Sequence, residues 1–361
     1  MVAFATLLLA AMNTGCSQAP AHEPYRISMI HDWPMADSYV FKEGGLWHVY
    51  GTQDYCLKGA KLAPGKLKEV PYTLEYPAGN RPAGVWGFHP FKLNDGTWHG
   101  VGTLHLGYFK TEVASFDPAP GQKWLPGSPI TRWRLKKVLV PYEEGKMATY
   151  ETKVCRESGG QLYLVCCRSF GLGRDVSIVA YKMNGPADLD ASVEPTVLLA
   201  PEGYQSEYRN EGAPLQIVEG PNIVEVNGYY LLLYTVGDFA TTNYKAGFAY
   251  SKSFLPPKGK TYQKVLIEDK NKVWGGRTKF EVQYLVQSQH KDWPNYVGDQ
   301  VAGPGLLNLM QEDGKWYLVF HGYVPTGKDR YDASQRMMWK AEVTVNVSDK
   351  TPPTEWIKLV K

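Results

Sequence analysis

Short apolar runs with alternating polar positions follow one another along the chain, and glycine-containing turns separate them. One pattern occurs five times: a β-rich run, a turn with glycine, and an aromatic or apolar residue that opens a second apolar run. Each copy is typical of a β-hairpin. The five copies are Asp37–Thr52, Phe88–Thr103, Glu151–Arg168, Gly220–Thr235 and Gly303–Gly322.

Further β-like stretches lie between these hairpins, for example Ser177–Met183, Ala246–Ser251 and Met337–Val345. Five hairpins, each followed by more strand, predict five sheets of about four strands. The sequence therefore predicts an all-β fold, a five-bladed β-propeller, with a β-sandwich carrying insertions as the alternative. The hairpin starts are 51 to 83 residues apart, so long loops such as Pro201–Ala213 are expected between strands.

No low-complexity linker divides the chain, so we expect one domain over residues 25–350, between a segment 1–24 and a tail 351–361. The apolar run Phe4–Met12 is similar to the core of a secretory signal, although no Lys or Arg precedes Arg26. Asn13–Ser17 is similar to a bacterial lipoprotein cleavage site, with Cys16 as the lipidated residue. A plain signal peptide and an ordinary buried segment are the alternatives. We expect an exported protein, periplasmic or at the cell surface and otherwise secreted, that meets a membrane only through a lipid on Cys16.

Composition narrows the classes of function. The chain is 43% hydrophobic, which excludes a disordered protein, and 13% aromatic, which suits both strands and sugar-stacking surfaces. The 39 basic residues nearly balance the 36 acidic ones, so a strongly basic nucleic-acid binder is not expected. No Cys/His spacing indicates a metal site. Cys155 and the Cys166–Cys167 pair flank one turn, which leaves both a disulfide and free buried thiols open.

Three acidic residues occupy corresponding places in the repeats. Asp37 and Glu151 open the first and third hairpins, and Glu219 directly precedes the fourth. Residues at the start of the innermost strands of a propeller converge at one mouth of the ring, so these carboxyl groups should face one pocket. Hydrolysis of a glycosidic bond needs one carboxylic acid to protonate the leaving oxygen and one carboxylate to activate water or attack the sugar. The acid must have a raised pKa, which burial or a neighbouring negative charge supplies.

Sequence elements around these acids resemble glycoside hydrolase family 43. The family opens its first blade with Ala-Asp-Pro and closes the hairpin with aromatic-Gly-Thr; here Ala36-Asp37-Ser38 leads to Tyr50-Gly51-Thr52, with Ser38 in place of Pro. The family's general acid lies in Glu-Gly-Pro, present here as Glu219-Gly220-Pro221. In the last blade the family's Gly-Pro-Gly-His is Gly303-Pro304-Gly305-Leu306, and the run Trp316–His321 is similar to the family's Trp-Tyr-Leu-Val-Tyr-His.

The resemblance implies a five-bladed glycosidase that removes a terminal sugar with inversion and uses no organic cofactor. By its motifs, Asp37 is the general base, Glu219 the general acid, and Glu151 the carboxylate that tunes Glu219 and orients the sugar. The family has Asp at this third position, so the longer Glu151 is a departure. Leu306 replaces a His that often sits near an axial metal or water cluster, which leaves an axial Ca²⁺ open.

Other acidic residues compete for these roles. Asp32 lies five residues before Asp37 and is the alternative base. Glu207, Glu211 and Glu225 are alternatives for the acid. Glu225 is expected to be solvated on a hairpin strand.

Flat aromatic faces stack on sugar rings, and several aromatic residues are candidates for that role. Trp33 and Trp86 are preferred because they lie close to blade-mouth elements. His89, at the mouth of blade two, is either a partner of a sugar hydroxyl or a structural histidine. Arg277 and His321 are further candidate substrate contacts. The remaining aromatic candidates are Phe88, Trp274 and Trp293.

The sequence thus favours an exo-acting glycoside hydrolase on arabinofuranose, xylose or galactose units of a plant or algal polysaccharide. A related five-bladed enzyme, an anhydrogalactosidase or a mannoside phosphorylase, is an alternative within the same fold. Outside enzymes, the alternatives are a non-catalytic carbohydrate-binding propeller and a protein-interaction propeller.

Overall fold

A computed structural model describes residues 23–77, 81–107, 110–125, 127–144, 148–169, 175–209, 215–268 and 280–361. Four features of the sequence lie outside these ranges: the leader segment with Cys16, the alternative acid Glu211, and the candidate substrate contacts Trp274 and Arg277.

The described residues form an almost entirely β structure with five sheets of four or five strands, as the repeated hairpins predict. The first strand, β1 (Ile27–His31), belongs to the last sheet. Blade 1 consists of four antiparallel strands: β2 (Tyr39–Glu43), β3 (Leu46–Tyr50), β4 (Tyr55–Gly59) and β5 (Leu67–Pro71).

Blade 2 has four antiparallel strands, and a short parallel strand is added at its outer edge. In chain order its strands are β6 (Thr73–Glu75), β7 (Gly84–Lys92), β8 (Trp98–Gly107), β9 (Lys110–Pro118) and β10 (Arg132–Val140). Blade 3 is formed by β11 (Ala148–Arg156), β12 (Leu162–Ser169), β13 (Val176–Gly185), β14 (Asp188–Leu189) and β15 (Thr196–Leu199).

Blade 4 and a small two-stranded sheet follow. The strands in chain order are β16 (Glu219–Val226), β17 (Tyr229–Val236), β18 (Lys245–Ser251), β19 (Gln263–Lys264), β20 (Leu266–Glu268), β21 (Phe280–Val282) and β22 (Tyr284–Val286). Of these, β20 and β21 pair only with each other. Three single-turn 3₁₀ helices complete the described secondary structure, at Gln205–Glu207, Ala333–Gln335 and Pro353–Glu355.

Blade 5 joins the two ends of the domain. Its strands are β23 (Ala302–Glu312), β24 (Lys315–Tyr323), β25 (Met337–Val345) and β26 (Ile357–Leu359), and the N-terminal β1 pairs with β25. Residues 351–361, which the sequence analysis set apart as a tail, therefore contribute a strand to this blade. Trp356 is 2% exposed and packs against Tyr229 and Tyr250 of blade 4. This contact joins the last blade to its neighbour.

The inner strands share one distortion at the mouth where the candidate acids lie. In blades 2 to 5 the pairing of the inner strand with its neighbour shifts near its start. One residue with a positive φ lies at a shift in each of these four blades, and another lies two residues before β2. These five residues are Asp37, Gly87, Glu151, Gly220 and Leu306, with φ values between 51° and 66°. Such bulges redirect side chains at the rim of a sheet.

Two residues beyond each positive-φ position, five polar or aromatic side chains line the axis. Lys153 donates from Nζ to the carbonyl oxygen of Ser38 at 3.2 Å, and Asn308 Nδ2 donates to the same oxygen at 3.1 Å. Asn222 Nδ2 donates in turn to Asn308 Oδ1 at 3.0 Å. These bonds connect blades 1, 3, 4 and 5 across the axis. We call the five residues the axial ring: Tyr39, His89, Lys153, Asn222 and Asn308.

Apolar side chains fill the spaces between blades rather than a single central core. The largest clusters join blades 4 and 5 and blades 3 and 4, and an aromatic cluster joins blades 1 and 2. Phe88 lies in this last cluster at 0% exposure, against Tyr50, Phe116 and Trp133. The suggestion that Phe88 stacks on a sugar is therefore wrong, because its ring is fully enclosed.

Cys56, Cys155, Cys166 and Cys167 are free thiols in the structure. Cys155 pairs with Tyr163 and Cys167 with Tyr150 in the β11–β12 ladder, so the two strands pair as expected but do not place these cysteines opposite each other. Among the described residues, no helix has the length and apolar character needed to cross a bilayer.

Candidate active site

The Asp37 carboxylate lies buried at the mouth of blade 1, and side chains from blades 1 and 5 hold it. Thr52 Oγ1 donates to Oδ2, and Arg336 Nη1 donates to Oδ1 at 3.2 Å. The backbone N–H of Asp37 donates to His321 Nδ1 at 3.2 Å. Burial alone would raise the pKa of Asp37, but the Arg336 charge and the Thr52 hydrogen bond hold it below its ordinary value. Asp37 is therefore ionised at neutral pH.

The Tyr50-Gly51-Thr52 element explains how β3 positions Asp37. A Cβ on Gly51 would lie 2.4 Å from the carbonyl oxygen of Ala36, so only glycine lets the chain before Asp37 pass this closely. The same carbonyl accepts a hydrogen bond from the Thr52 N–H at 3.1 Å. Thr52 Oγ1 also accepts from the N–H of Gly87 at 3.3 Å, which ties blade 2 to the Asp37 carboxylate through one hydroxyl.

Glu219 begins β16 and is 6% exposed. Tyr244 donates its hydroxyl to Oε1 at 2.8 Å, and Tyr150 donates to Oε2 at 3.2 Å. Burial raises the pKa of Glu219 to about 7, the two tyrosine hydrogen bonds oppose that rise, and the Asp37 charge adds to it. A substantial fraction of Glu219 is therefore protonated at neutral pH, as a general acid requires.

Glu151 stands beside Glu219. Its Oε2 accepts the N–H of Gly220 at 2.5 Å and the thiol of Cys167 at 3.3 Å. Burial, followed by the negative charges of Glu219 and Asp37, raises the pKa of Glu151 well above its ordinary value. The two glutamates form a coupled pair that holds at least one proton near neutral pH.

The three acids that the sequence places at corresponding repeat positions therefore meet at one mouth of the ring. Asp37 and Glu151 both have a positive φ, 54° and 52°, which is uncommon for residues other than glycine, and more so for glutamate than for aspartate. Such a conformation costs on the order of 1–3 kcal/mol per residue and tends to occur at functional sites. An ionised carboxylate and a protonated carboxylic acid in one buried site provide the two halves of general acid–base chemistry.

The alternative acids have other surroundings. Asp32 is exposed, whereas Asp37 is buried, and Glu225 is exposed on its hairpin strand as expected. Glu207 is fully buried away from this site, where it pairs with Lys264 and accepts the backbone N–H groups of Glu202 and Gly203. The structure therefore groups Asp37, Glu151 and Glu219 and leaves these three apart.

The predicted substrate contacts separate into two groups. Trp86 directly precedes Gly87, whose backbone N–H binds Thr52, and its ring stacks on His105 with centroids 4.4 Å apart. Trp33 is 59% exposed on the segment between β1 and β2. The Trp33 ring is therefore accessible, and Trp86 is partly accessible beside the element that contacts Thr52.

His89 and His321 are both buried, and each accepts a backbone N–H group. His321 is fully buried behind Asp37, stacks on Tyr244, and accepts the Asp37 N–H, so it positions the base rather than facing the mouth. His89 is 1% exposed in the axial ring and accepts the N–H of Val154 at 2.9 Å. Its Nε2 has no hydrogen-bond partner among the described residues, and a contact of His89 with a sugar hydroxyl stays a prediction.

Several residues of the site carry no sequence signal strong enough to single them out. Arg336 lies at the end of the loop between β24 and β25. It is 299 positions away in the sequence from its partner Asp37. Tyr244 is one of 24 tyrosines in the sequence. Tyr150 directly precedes Glu151. Its position next to a residue that the repeats mark is the one sequence signal for it.

A cationic group at the mouth was also missed. Phe239, 37% exposed, lies in the loop between β17 and β18, and the guanidinium groups of Arg209 and Arg336 lie 6.0 and 5.5 Å from its ring centre. Arg209 and Arg330 both pair with the buried carboxylate of Asp238, at 3.8 and 3.3 Å. Phe239 is thus a fixed aromatic surface close to the residue that holds Asp37.

The described residues do not fit an axial calcium ion. Leu306, at the position of the family's His, is 3% exposed and offers no ligand atom. The ammonium group of Lys153 lies in the axial ring, where it binds the Ser38 carbonyl. In the part of the chain that the structure describes, no group of three His, Cys, Asp or Glu side chains is arranged to hold a metal ion.

No model of a protein family and no curated protein matches the sequence. Solved structures do match the fold. A thermostable family-43 glycoside hydrolase superposes with a TM-score of 0.65 at 14% identity, over 90% of this chain and 92% of that one. An α-L-arabinofuranosidase from Lactobacillus brevis gives 0.63 at 18% identity, over 90% and 96%. An exo-1,5-α-L-arabinanase from a bovine ruminal metagenomic library gives 0.61 at 16% identity, over 91% and 97%. The chain therefore has the five-bladed fold of family-43 glycoside hydrolases, and these identities establish the fold alone.

Proposed function

We propose that the protein is a glycoside hydrolase that acts by general acid–base catalysis. The observation that carries this proposal is the division of protonation between two buried carboxyl groups at one mouth. Arg336 and Thr52 keep Asp37 ionised, whereas burial raises the pKa of Glu219 to about 7, so that a substantial fraction of it is protonated near neutral pH. A pair of carboxyl groups with separated pKa values is what glycoside hydrolysis requires.

In the proposed reaction Glu219 protonates the glycosidic oxygen as the bond to the anomeric carbon breaks. Asp37 accepts a proton from a water molecule, whose oxygen attacks the anomeric carbon from the opposite face of the sugar. The product has the inverted anomeric configuration. The hydrogen bonds from Tyr150 and Tyr244 stabilise the Glu219 carboxylate left after proton transfer, and burial together with the Asp37 charge favours the protonated acid before it. Glu151 supports this arrangement by accepting the N–H of Gly220, the residue that follows the acid.

The proposed substrate is a terminal sugar of a plant or algal polysaccharide, removed in an exo manner. Arabinofuranose is favoured, because two of the similar structures are named as enzymes acting on arabinosyl linkages. Xylose and galactose units are the alternatives. Trp33, Trp86 and Phe239 are the proposed stacking surfaces, since each combines a mouth position with an accessible ring.

Hydrolysis is favoured over phosphorolysis by the pairing of the mouth arginines. Arg336 is engaged by Asp37, and Arg209 and Arg330 share Asp238, so the carboxylates partly compensate the charge that would attract phosphate. Water is therefore the proposed acceptor.

The test is a panel of arabinofuranosides, xylosides and galactosides, as nitrophenyl glycosides and as oligosaccharides, assayed with and without phosphate. We expect release of a single monosaccharide from chain ends, independent of phosphate, with the inverted anomer observed first by proton NMR. Binding to oligosaccharides without product release would instead support a carbohydrate-binding propeller. Sugar phosphates as products would support a phosphorylase.

We also propose that the protein is exported, on the basis of the leader-like segment and Cys16. Incorporation of labelled palmitate into the full-length chain expressed in a bacterium, and its loss in Cys16→Ala, would test the lipid anchor. Unlabelled protein released outside the cytoplasm would indicate a plain signal peptide.

A further inference from the structure

A cavity opens at the mouth of the propeller opposite the three carboxyl groups. Its volume is about 350 Å³, within the range of small-ligand sites. Glu43, Lys92 and Arg156 line it where the inner strands of blades 1, 2 and 3 end. His89 and Lys153 of the axial ring line it as well, and both are buried.

Lys153 brings a buried cation to this cavity. The residue is 5% exposed, and its ammonium donates to the Ser38 carbonyl and lies 4.8 Å from the Tyr39 ring centre. An ammonium has three donors, and the Ser38 carbonyl takes one. Burial lowers the pKa of Lys153 to about 8, while the carboxylates of Glu151 and Asp37 favour its charged form. The group is therefore mostly charged at neutral pH.

His89 adds a hydrogen-bond donor, Nε2–H, and the hydrogen bond at Nδ1 shows that the proton lies on Nε2. Nδ1 accepts the N–H of Val154, so the proton of the neutral ring is on Nε2. Burial holds the pKa of His89 well below its usual range, which keeps the ring neutral. Nε2 is buried and has no hydrogen-bond partner among the described residues. A buried donor without an acceptor is costly, and a ligand oxygen would satisfy it.

The charges around the cavity are unequal. Glu43 is the one carboxylate in its lining, and Lys92 pairs with it at 2.8 Å. Within the described ranges, the acceptors of Arg156 are neutral: Asn94 Oδ1 and the Lys92 carbonyl. Among the residues that line the cavity, Lys153 and Arg156 therefore leave an excess of positive charge.

We propose that this cavity is a binding site for a small oxyanion, of the phosphate, sulfate or carboxylate class, separate from the catalytic mouth. Lys153 and the Nε2–H of His89 bind the anion at the deep end, and Arg156 binds it from the rim. This proposal does not depend on the activity assigned to Asp37 and Glu219.

The test is calorimetric titration of the full chain with sulfate and with phosphate at low ionic strength, without any sugar substrate. We expect one site with millimolar or tighter affinity. Lys153→Met should weaken binding about ten- to hundredfold, because a hydrogen bond to a charged donor is lost. Lys245→Met is the matched control: Lys245 is equally buried but binds Asn243 and Gln289 elsewhere, so anion affinity should not change.

Arg156→Gln is a second test variant, needed in case Lys153→Met does not fold. Arg156 is exposed, so its replacement should leave the fold intact. We expect it to weaken anion binding several-fold. Absence of binding to the wild type would overturn the proposal. So would wild-type affinity in Arg156→Gln together with wild-type affinity, or failure to fold, in Lys153→Met.

Discussion

At the scale of single residues, two tyrosine hydroxyls limit how far the pKa of Glu219 can rise. Both donate to the carboxyl group, and such bonds stabilise the charged form. Glu219 acts in its protonated state, so activity should be lost as the pH rises through about 7, the value to which burial raises its pKa. Because Glu151 is coupled to it, this limb of the pH profile belongs to the pair.

Tyr244→Phe should therefore raise the pKa of Glu219 and move the alkaline limb of kcat/KM to higher pH. The measurement is the pH dependence of kcat/KM on an active glycoside. Tyr323→Phe is the control, because that hydroxyl binds the Phe239 carbonyl and no carboxyl group. An alkaline limb that stays in place in Tyr244→Phe, or moves equally in both variants, would contradict the assignment.

Arg336 favours the charged form of the other catalytic carboxyl group, Asp37. Its charge holds the pKa of the base below its ordinary value despite burial. The base acts when ionised, so activity is lost as the pH falls through the pKa of Asp37. Arg336→Gln should raise that pKa and move the acidic limb to higher pH. Arg336→Lys keeps the positive charge, so its acidic limb should lie between those of the wild type and Arg336→Gln. If the acidic limb is the same in all three proteins, Arg336 does not set the charge state of the base.

The sequence contains enough to predict which acids converge, but not what surrounds them. Asp37, Glu151 and Glu219 are recognisable because their places within the hairpins correspond. Arg336 and Tyr244 come from loops between outer strands, whose lengths differ from blade to blade, so no repeat position marks them. His89 shows the converse limit: the residue of blade 2 that corresponds to Asp37 and Glu151 is Gly87, so His89 lies two residues farther along its strand than the mouth position.

At the scale of elements, the backbone is strained near the start of each inner strand. Gly51 is the point at which β3 and the chain before β2 approach most closely, with 2.4 Å between a hypothetical Cβ and the Ala36 carbonyl. Any side chain there must displace the backbone that carries Asp37. The aromatic-Gly-Thr element thus serves Asp37 in two ways. Its glycine leaves space for the chain before Asp37, and its Thr52 hydroxyl binds the carboxylate.

Gly51→Ala should destabilise the protein by about 1–3 kcal/mol, the usual cost of overpacking, and should lower kcat more than it changes KM. Urea unfolding and steady-state kinetics measure the two effects. Gly159→Ala is the control, because a Cβ at that turn meets no atom within 4 Å and needs no positive φ. Equal stability of the two variants would show that the backbone at Gly51 relaxes without cost.

At the scale of the whole molecule, the ring is closed by both chain ends. β1 and β26 flank β25, and Trp356 lies between the last two blades. Five hairpins in the sequence predict five blades, but their spacing does not show which terminal segments complete the last one. Ile357–Leu359 is too short for periodicity to mark it as a strand, which is why the tail escaped prediction.

Trp356→Ala should lower the free energy of unfolding by about 3–5 kcal/mol, the range for removing a large buried aromatic side chain. Thermal and urea unfolding measure it. Lys361→Ala, at the exposed end of the same segment, should have no effect. A Trp356 variant as stable as the wild type would mean that the segment docks on the propeller without contributing to its closure.

The measurement that tests the central claim most directly compares wild type, Glu219→Gln and Glu225→Gln on the most active substrate of the glycoside panel. Glutamine keeps the shape of glutamate but cannot donate the proton, so Glu219→Gln should lower kcat by about 10²–10⁴-fold. Glu225 lies on the same strand at an exposed position, and its replacement should leave kcat unchanged. A Glu219→Gln protein that releases sugar at the wild-type rate would contradict the assignment of the acid, and wild-type protein that releases no sugar from any member of the panel would contradict the proposed hydrolysis itself.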